Sequence, residues 1–372
     1  MLYFVKEEYL PNAAETNRLF AFIKGFWRMK AKLTVFYVNQ CPYKELYGAP
    51  VISPIGKSKN RIIHKLLGPF QLYRRLRKLD ENDIVVFFSA MFVLVVPLLL
   101  RRTIKAKIFY ECTENPEVIR PNTLFYRLYR RLLFKSCKNL DGLFVISRPL
   151  KQYFAEKGVE EERIHIVNMT VDPQRFFCLE KQEVDYPYIA YCGTASNNKD
   201  GVDELIKAFS IVSKKYPEYR LYIIGKGLTK DDDSGNRELV ESLHLEEKVV
   251  FTGIVPSEDM PQLLKNADIL VLDRPDNVQA KYGFPTKLGE YLLTENPVVV
   301  TSVGDIPFFL TDMNNALIAE PQNAVMFSSK IIWIIENPCE ASVIGKNGAE
   351  TALKCFNADI ESEKMARALG VI

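Results

Sequence analysis

Short runs of apolar, often β-branched residues recur along the chain, separated by longer stretches whose apolar positions return every three or four residues. In the first half the short runs are Leu2–Val5, Leu33–Val38, Ile84–Phe88, Lys107–Tyr110, Gly142–Ile146 and Ile164–Asn168. In the second they are Tyr188–Tyr191, Arg220–Ile224, Lys248–Phe251, Asp268–Leu272, Pro297–Thr301 and Ala316–Ala319. Strand-like runs alternating with helix-like stretches predict βαβ units wound around parallel sheets. The alternation breaks over FFCLEKQEVDYPY, which is charged and has no apolar period. This stretch reads as a linker near residues 176–187, dividing a domain 1–177 from a domain 178–355. The closing segment 356–372 predicts a helix expected to join the first domain. The expected fold class is therefore α/β, with two doubly wound Rossmann-like domains facing across a cleft. In such sheets ligands bind beyond the carboxyl ends of the strands.

Length and composition agree with two folded domains. The 372 residues are long for one core, and 48% hydrophobic with 26% charged residues is the balance of a globular chain. Seven cysteines lie singly, without a Cys-x-x-Cys pair, and only three histidines occur, far apart. That pattern argues against a disulfide framework or a zinc site and fits a reducing compartment. The opening MLYFVKEEYLP lacks a basic segment followed by a long apolar one, so no signal peptide is expected and a cytoplasmic location is.

Charge adds an asymmetry hidden by the net +3. Residues 1–180 hold 30 Lys and Arg against 17 Asp and Glu, and the rest hold 19 against 29. Three basic stretches, FIKGFWRMKAKL, RIIHKLLGPFQLYRRLRKL and LFYRLYRRLLFKSCK, place apolar and aromatic residues at helical spacing with cations between them. They read as amphipathic helices, with an anionic membrane leaflet as the expected partner, so the protein is expected to sit peripherally on the inner face of the plasma membrane. No nucleic-acid motif appears, and no nucleic-acid partner is expected. The uncharged run Ile84–Leu100 is at the lower edge of a membrane span, but its β-rich start and Pro97 favour a buried strand followed by a broken apolar helix.

Three stretches carry candidate chemistry. In KYGFPTKLGEYLL, Pro285 suits a first helical position and Gly283 permits close approach of a ligand to the backbone. Free N–H groups at such a helix start suit a phosphate, and Glu290, four residues after Thr286, shares one helical face with it. A phosphate followed one turn later by a carboxylate matches the diphosphate and ribose hydroxyls of a nucleoside diphosphate. The second stretch, YIAYCGTASNNKDG, is a strand and a Gly-containing loop that brings Gly193 and Lys199 to the same end of the sheet. The third, KVVFTGIVPSEDM, ends a strand at Gly253 and leaves Ile254 and Val255 in a loop able to sandwich a flat base. In the first half, PNAAETNR follows the first strand, and Asn12, Glu15 and Arg18 are candidate acceptor contacts. A Rossmann oxidoreductase would show Gly-x-Gly-x-x-Gly after that strand, and none is present.

The order and spacing of YCGTASNNKDG, RLYIIGKG, VVFTGIVPSEDMPQLLKNADILVL and GFPTKLGEYLLTENPVVVTSVGDIP resemble the donor-binding half of the family-four retaining glycosyltransferases of the GT-B fold. The first half is similar more loosely, through YECTENPEV, LFVISRPLKQYF and RIHIVNMTVDPQRF. The resemblance implies a nucleotide-sugar donor, with uridine the carrier by family weighting, and a saccharide or lipid-linked saccharide acceptor in surface polysaccharide assembly. It implies neither cofactor nor metal. It makes Glu290 the ribose ligand and Lys199 a diphosphate ligand, the two residues expected to carry catalysis. It places Gly193, Gly283, Phe284, Pro285 and Thr286 around the phosphates and sugar, with Ile254 and Val255 at the base. Three positions depart from the family's pattern. Tyr282 stands where a second acid is usual, and Thr194 where an arginine is, which turns attention to Lys281 and Lys287. Thr113 stands where a histidine is usual, flanked by Glu111 and Glu114 as acceptor contacts or caps. A non-catalytic nucleotide-sugar or lipid-binding protein on the same fold is the rival reading.

Overall fold

In the computed structural model the described residues are 1–11, 13–39, 41–53, 61–88, 94, 97–118 and 123–372. They form two compact units, Met1–Thr170 with Ala358–Ile372, and Val171–Asn357. The division falls ahead of the boundary expected after residue 177. The reason is local: the Val171 N–H donates to the Phe356 carbonyl at 2.8 Å, and Pro173–Arg175 forms a 3-10 turn whose Asp172 cap accepts from the Gln174 N–H.

In the first unit the strands are β1 (Leu2–Lys6), β2 (Leu33–Tyr37), β3 (Glu45–Leu46), β4 (Ala49–Ile52), β5 (Ile84–Phe88), β6 (Lys107–Cys112), β7 (Gly142–Val145) and β8 (Ile164–Ile166). Their order is β3-β4-β2-β1-β5-β6-β7-β8, parallel except for the β3–β4 hairpin. Runs such as LTVFY and IVVFF are buried on both faces, as a parallel sheet covered by helices requires. The helix Ala14–Arg28 lays Leu19, Phe22, Ile23 and Phe26 into the core, where they meet Met365 and Ala366 of the terminal helix Ala358–Leu369. Gly25 permits that approach, because a methyl group there would lie 2.1 Å from Ser362 Oγ. Glu361, 0% exposed, accepts from the Asn168 N–H at 2.7 Å and so ties the returning helix to the segment after β8.

Several first-unit expectations change. Arg18 and Glu111 do not present polar groups in a loop. Arg18 is 5% exposed, its Nε bonds Glu111 Oε1 at 2.7 Å, and its remaining nitrogens donate to the Val167 and Asn168 carbonyls. Glu111 lies within β6 rather than after it. Burying both charges is tolerable only because they satisfy one another and the backbone. Glu15 pairs with Lys6 at 2.5 Å, while Thr113 and Glu114 are half-buried beyond β6. Asn12 lies outside the described residues. So do residues 89–93, 95 and 96 of the apolar run, which otherwise opens as β5 and is helical at 97–99. Among the described residues no helix is long and apolar enough to cross a membrane.

The second unit has six parallel strands among its described residues: β9 (Tyr188–Cys192), β10 (Arg220–Ile224), β11 (Val249–Gly253), β12 (Ile269–Leu272), β13 (Val298–Thr301) and β14 (Leu317–Ala319). The order β11-β10-β9-β12-β13-β14 reverses direction between β9 and β12. The connections after these two strands therefore diverge, opening a crevice at their carboxyl ends.

Candidate functional site

That end of the second sheet is built from loops held close to one another. The Gly193 N–H donates to the Ile224 carbonyl at 2.7 Å, Ala195 to Lys226 at 2.8 Å, and Gly225 to Gly253 at 2.9 Å. Gly225 has φ +127°, and a methyl group on it would meet the Gly193 carbonyl oxygen at 1.9 Å. Only glycine fits both that backbone region and that contact. The loops carrying Thr194, Lys226 and Ile254 are thereby fastened side by side.

The helix carrying Glu290 is anchored to the same place. It spans Lys287–Leu293, beginning two residues after the expected Pro285, with Thr286 at the cap. Buried Tyr291 fixes it: its hydroxyl accepts from the Cys192 N–H at 2.6 Å and lies 3.2 Å from the Cys192 carbonyl. Seven residues give a weak dipole, so cationic side chains rather than the helix start dominate the local field. Gly283, Phe284 and Pro285 are buried. The Phe284 ring turns away into an aromatic cluster, 5.5 Å from Phe309 and 5.3 Å from Phe356, so its ring anchors the loop and is not free to line a ligand.

Lys287 reaches back over Gly193. Its ammonium lies 2.6 Å from Asp200 Oδ2 and 3.4 Å from Tyr191 Oη, on the spot a side chain at 193 would fill. Tyr191 Oη lies 2.7 Å from Asp200 Oδ2, and Arg274 Nε is 3.8 Å from Asp200 Oδ1. Burial works against the Asp200 carboxylate, but Lys287 and Arg274 together hold it below the usual carboxylate range. The charge of Lys287 is thus half spoken for. Lys199, by contrast, is half-buried and makes no side-chain hydrogen bond or ion pair among the described residues. Lys281 is exposed and lies 5.6 Å from the Tyr282 ring centroid. Its short helix Val278–Tyr282 is capped by Asn277, whose amide also donates to the Asn198 carbonyl at 2.6 Å, linking it to the loop of Lys199.

Glu290 is 22% exposed and bonds the guanidinium of Arg175. Burial pushes its carboxyl up, opposed by Arg175 and then Lys287. The other arm of Arg175 donates to the Ser257 carbonyl at 2.7 Å, in the loop where Ile254 is 69% exposed and Val255 half-buried. The sequence singled out Glu290, Lys199, Lys287 and the 254–255 loop, and the structure gathers them at one sheet end. It adds Arg175, Asp200, Tyr191 and Arg274, which sequence reasoning passed over. A signal existed for Arg175 in VDPQRF and for Asp200 in NNKDG, but neither stretch shows its long-range partner.

Two Rossmann-like parallel sheets in one chain, the second ending in clustered glycine loops, cations and an acid, define a protein of the GT-B glycosyltransferase fold. Residues 16–175 match the family profile described as Glycosyltransferase Family 4, and residues 186–337 that of Glycosyl transferases group 1. The chain belongs to this glycosyltransferase family. Mannosylfructose-phosphate synthase of Agrobacterium fabrum is 28% identical over 205 residues, covering 51% of this chain and 43% of that protein. The amylovoran biosynthesis glycosyltransferase AmsK of Erwinia amylovora is 25% identical over 166 residues, covering 44% of this chain and 40% of its own. The match thus spans under half the length of these two relatives. Among solved structures, Anabaena HepE in complex with UDP has a TM-score of 0.80 at 16% identity, with 100% of both chains covered.

Proposed function

We propose that this chain is a retaining glycosyltransferase that moves a sugar from a nucleotide-sugar to a saccharide or lipid-linked saccharide in surface polysaccharide assembly. One observation carries the reading: unpaired Lys199, glycine loops and partly open Glu290 converge at the carboxyl ends of β9 to β12. The cations suit a diphosphate, and the carboxylate suits the vicinal hydroxyls of a ribose. Family membership supports transfer chemistry, and HepE structures with UDP and UDP-glucose favour a uridine carrier. Amylovoran and colanic acid glycosyltransferases among the relatives favour a polysaccharide role.

In this reading the acceptor oxygen attacks the anomeric carbon on the face from which the diphosphate departs. The sugar–phosphate C–O bond breaks, the new glycosidic C–O bond forms, and the acceptor proton passes to a departing phosphate oxygen. Lys199, with Lys287 beside the same loop, supplies positive charge where negative charge grows on the diphosphate, and electrostatic catalysis gains most there. These groups supply the charge without a metal or cofactor. The acceptor belongs to the first unit, whose basic helices also expose apolar residues: Phe70 is 58% and Leu128 57% exposed. This suits a peripheral seat on an anionic leaflet. Glu290→Ala and Lys199→Ala should each weaken UDP binding about tenfold or more in calorimetry, the size of a lost charge-assisted bond. Unchanged affinity in both removes the site.

Tyr282 in place of an acid, and Lys287 occupied by Asp200, favour the second reading of binding without turnover. UDP release from UDP-sugars, with and without glycan acceptors, separates the two.

A further inference from the structure

We infer that Arg175 is a positioning residue of the nucleotide site. Its guanidinium pins one oxygen of the Glu290 carboxylate and fastens the 254–257 loop beside it, so that ribose and base contacts are assembled before a nucleotide arrives. This rests on the donor-site reading above and deepens it.

The geometry is that of a fork spanning two elements. One guanidinium nitrogen of Arg175 bonds Glu290 Oε1, and the other donates to the Ser257 carbonyl at 2.7 Å, with Ser257 Oγ at 3.4 Å. A planar guanidinium presents these donors in one rigid, pre-organised fork, which the single rotatable ammonium of a lysine lacks. Glu290 Oε2 has no hydrogen bond among the described residues, and the side chain keeps 22% of its surface open. One oxygen is therefore pinned while the other is free to accept from a ribose diol. The turn holding Arg175 is itself held, by the Asp172 cap on one side and the Val171 to Phe356 hydrogen bond on the other.

The charge balance around Glu290 points the same way. The groups facing it are Arg175 from the 3-10 turn, Lys287 from its own helix, the Cys192 thiol at the end of β9, and the Tyr291 hydroxyl. Cys192 and Tyr291 are held neutral, since burial raises both above their ordinary values. Lys287 is engaged by Asp200 at 2.6 Å. Arg175 is left as the principal counter-charge to a carboxylate whose surroundings favour its neutral form. Without Arg175 the Glu290 carboxyl should move further up from its ordinary value and accept less well from the sugar hydroxyls.

The test is UDP titration of the full chain at pH 6, 7 and 8.5 for wild type, Arg175→Met, Arg175→Lys and Glu290→Gln. Each variant is first checked by thermal unfolding in the same buffers. The quantity read is the ratio of variant to wild-type Kd, which cancels the titration of UDP itself. Arg175→Met should weaken binding about tenfold or more, with the larger ratio at the lower pH, because a carboxyl pushed up by burial is more fully ionised as pH rises. Arg175→Lys restores a charge, so its ratio should be flat with pH but stay above one, because it cannot also grip Ser257. A ratio for Arg175→Met independent of pH reduces Arg175 to a structural part and overturns the inference. Tighter UDP binding in that variant makes Arg175 a competitor of the ribose and overturns it too. Binding weakened by Glu290→Gln but indifferent to Arg175 sinks the inference alone. A wild type that binds none of UDP, ADP or GDP sinks the donor reading and this inference with it.

Discussion

Asp273 follows β12, 1% exposed, and its Oδ2 has no hydrogen-bond partner among the described residues. Burial, with the Glu204 and Asp203 charges adding, pushes its carboxyl up to about 8. The folded chain therefore keeps this proton at pH values where the unfolded chain, with an ordinary carboxylate pKa near about 4, has lost it. Stability drains away as pH rises through that interval and levels off above the folded value. Asp273→Asn keeps the shape without titrating. The gap in unfolding free energy between the variant and wild type should widen by about 1.4 kcal/mol per pH unit between pH 5 and 7. Urea melts at three pH values would read it, and a constant gap would show that Asp273 is not the titrating group. Residues differ in how far the sequence reveals them. Glu290 stands out in the sequence because it follows a Gly-Phe-Pro-Thr stretch by only a few positions. Arg175 does not, because its partner is 115 positions away. Arg18 and Glu111, 93 positions apart, look like free polar groups until the fold brings them together.

At the scale of elements, the twelve strands read from apolar runs all appear, within a residue or two at their ends. Continuous β-branched runs survive folding because a doubly covered sheet demands them. The β3–β4 hairpin is illegible: Glu45–Leu46 and Ala49–Ile52 are too short for a pattern, and Pro50 argues against a strand unless it lies near an edge. The Glu290 helix starts two residues later than Pro285 suggests, because Phe284 pulls that stretch into the aromatic cluster. The crossing of Ala14–Arg28 with Ala358–Leu369 is a packing feature that can be tested directly. Gly25→Ala should lower stability by about 1–3 kcal/mol through overpacking against Ser362. Ser362→Gly should recover much of that loss, so a double-mutant cycle in denaturant melts should give clear coupling. Additive effects would refute the contact.

Across the whole molecule, length and the restarted alternation were enough to indicate two α/β units. They were not enough to fix where the chain passes between them, since the Glu361 carboxylate that docks the last helix finds its partner 193 positions upstream at Asn168. The second unit begins at Val171 and ends at Asn357, and those two residues are bridged to each other. A polypeptide cut at this seam has its own core and adjacent ends. The fragment 171–357 should fold alone and give a single cooperative melt, a result that an unfolded or multiphasic fragment would exclude. The bridge then makes this portion of the chain a cassette: a lineage, or an engineer, could swap it whole through a single doorway without rewriting the remaining sequence.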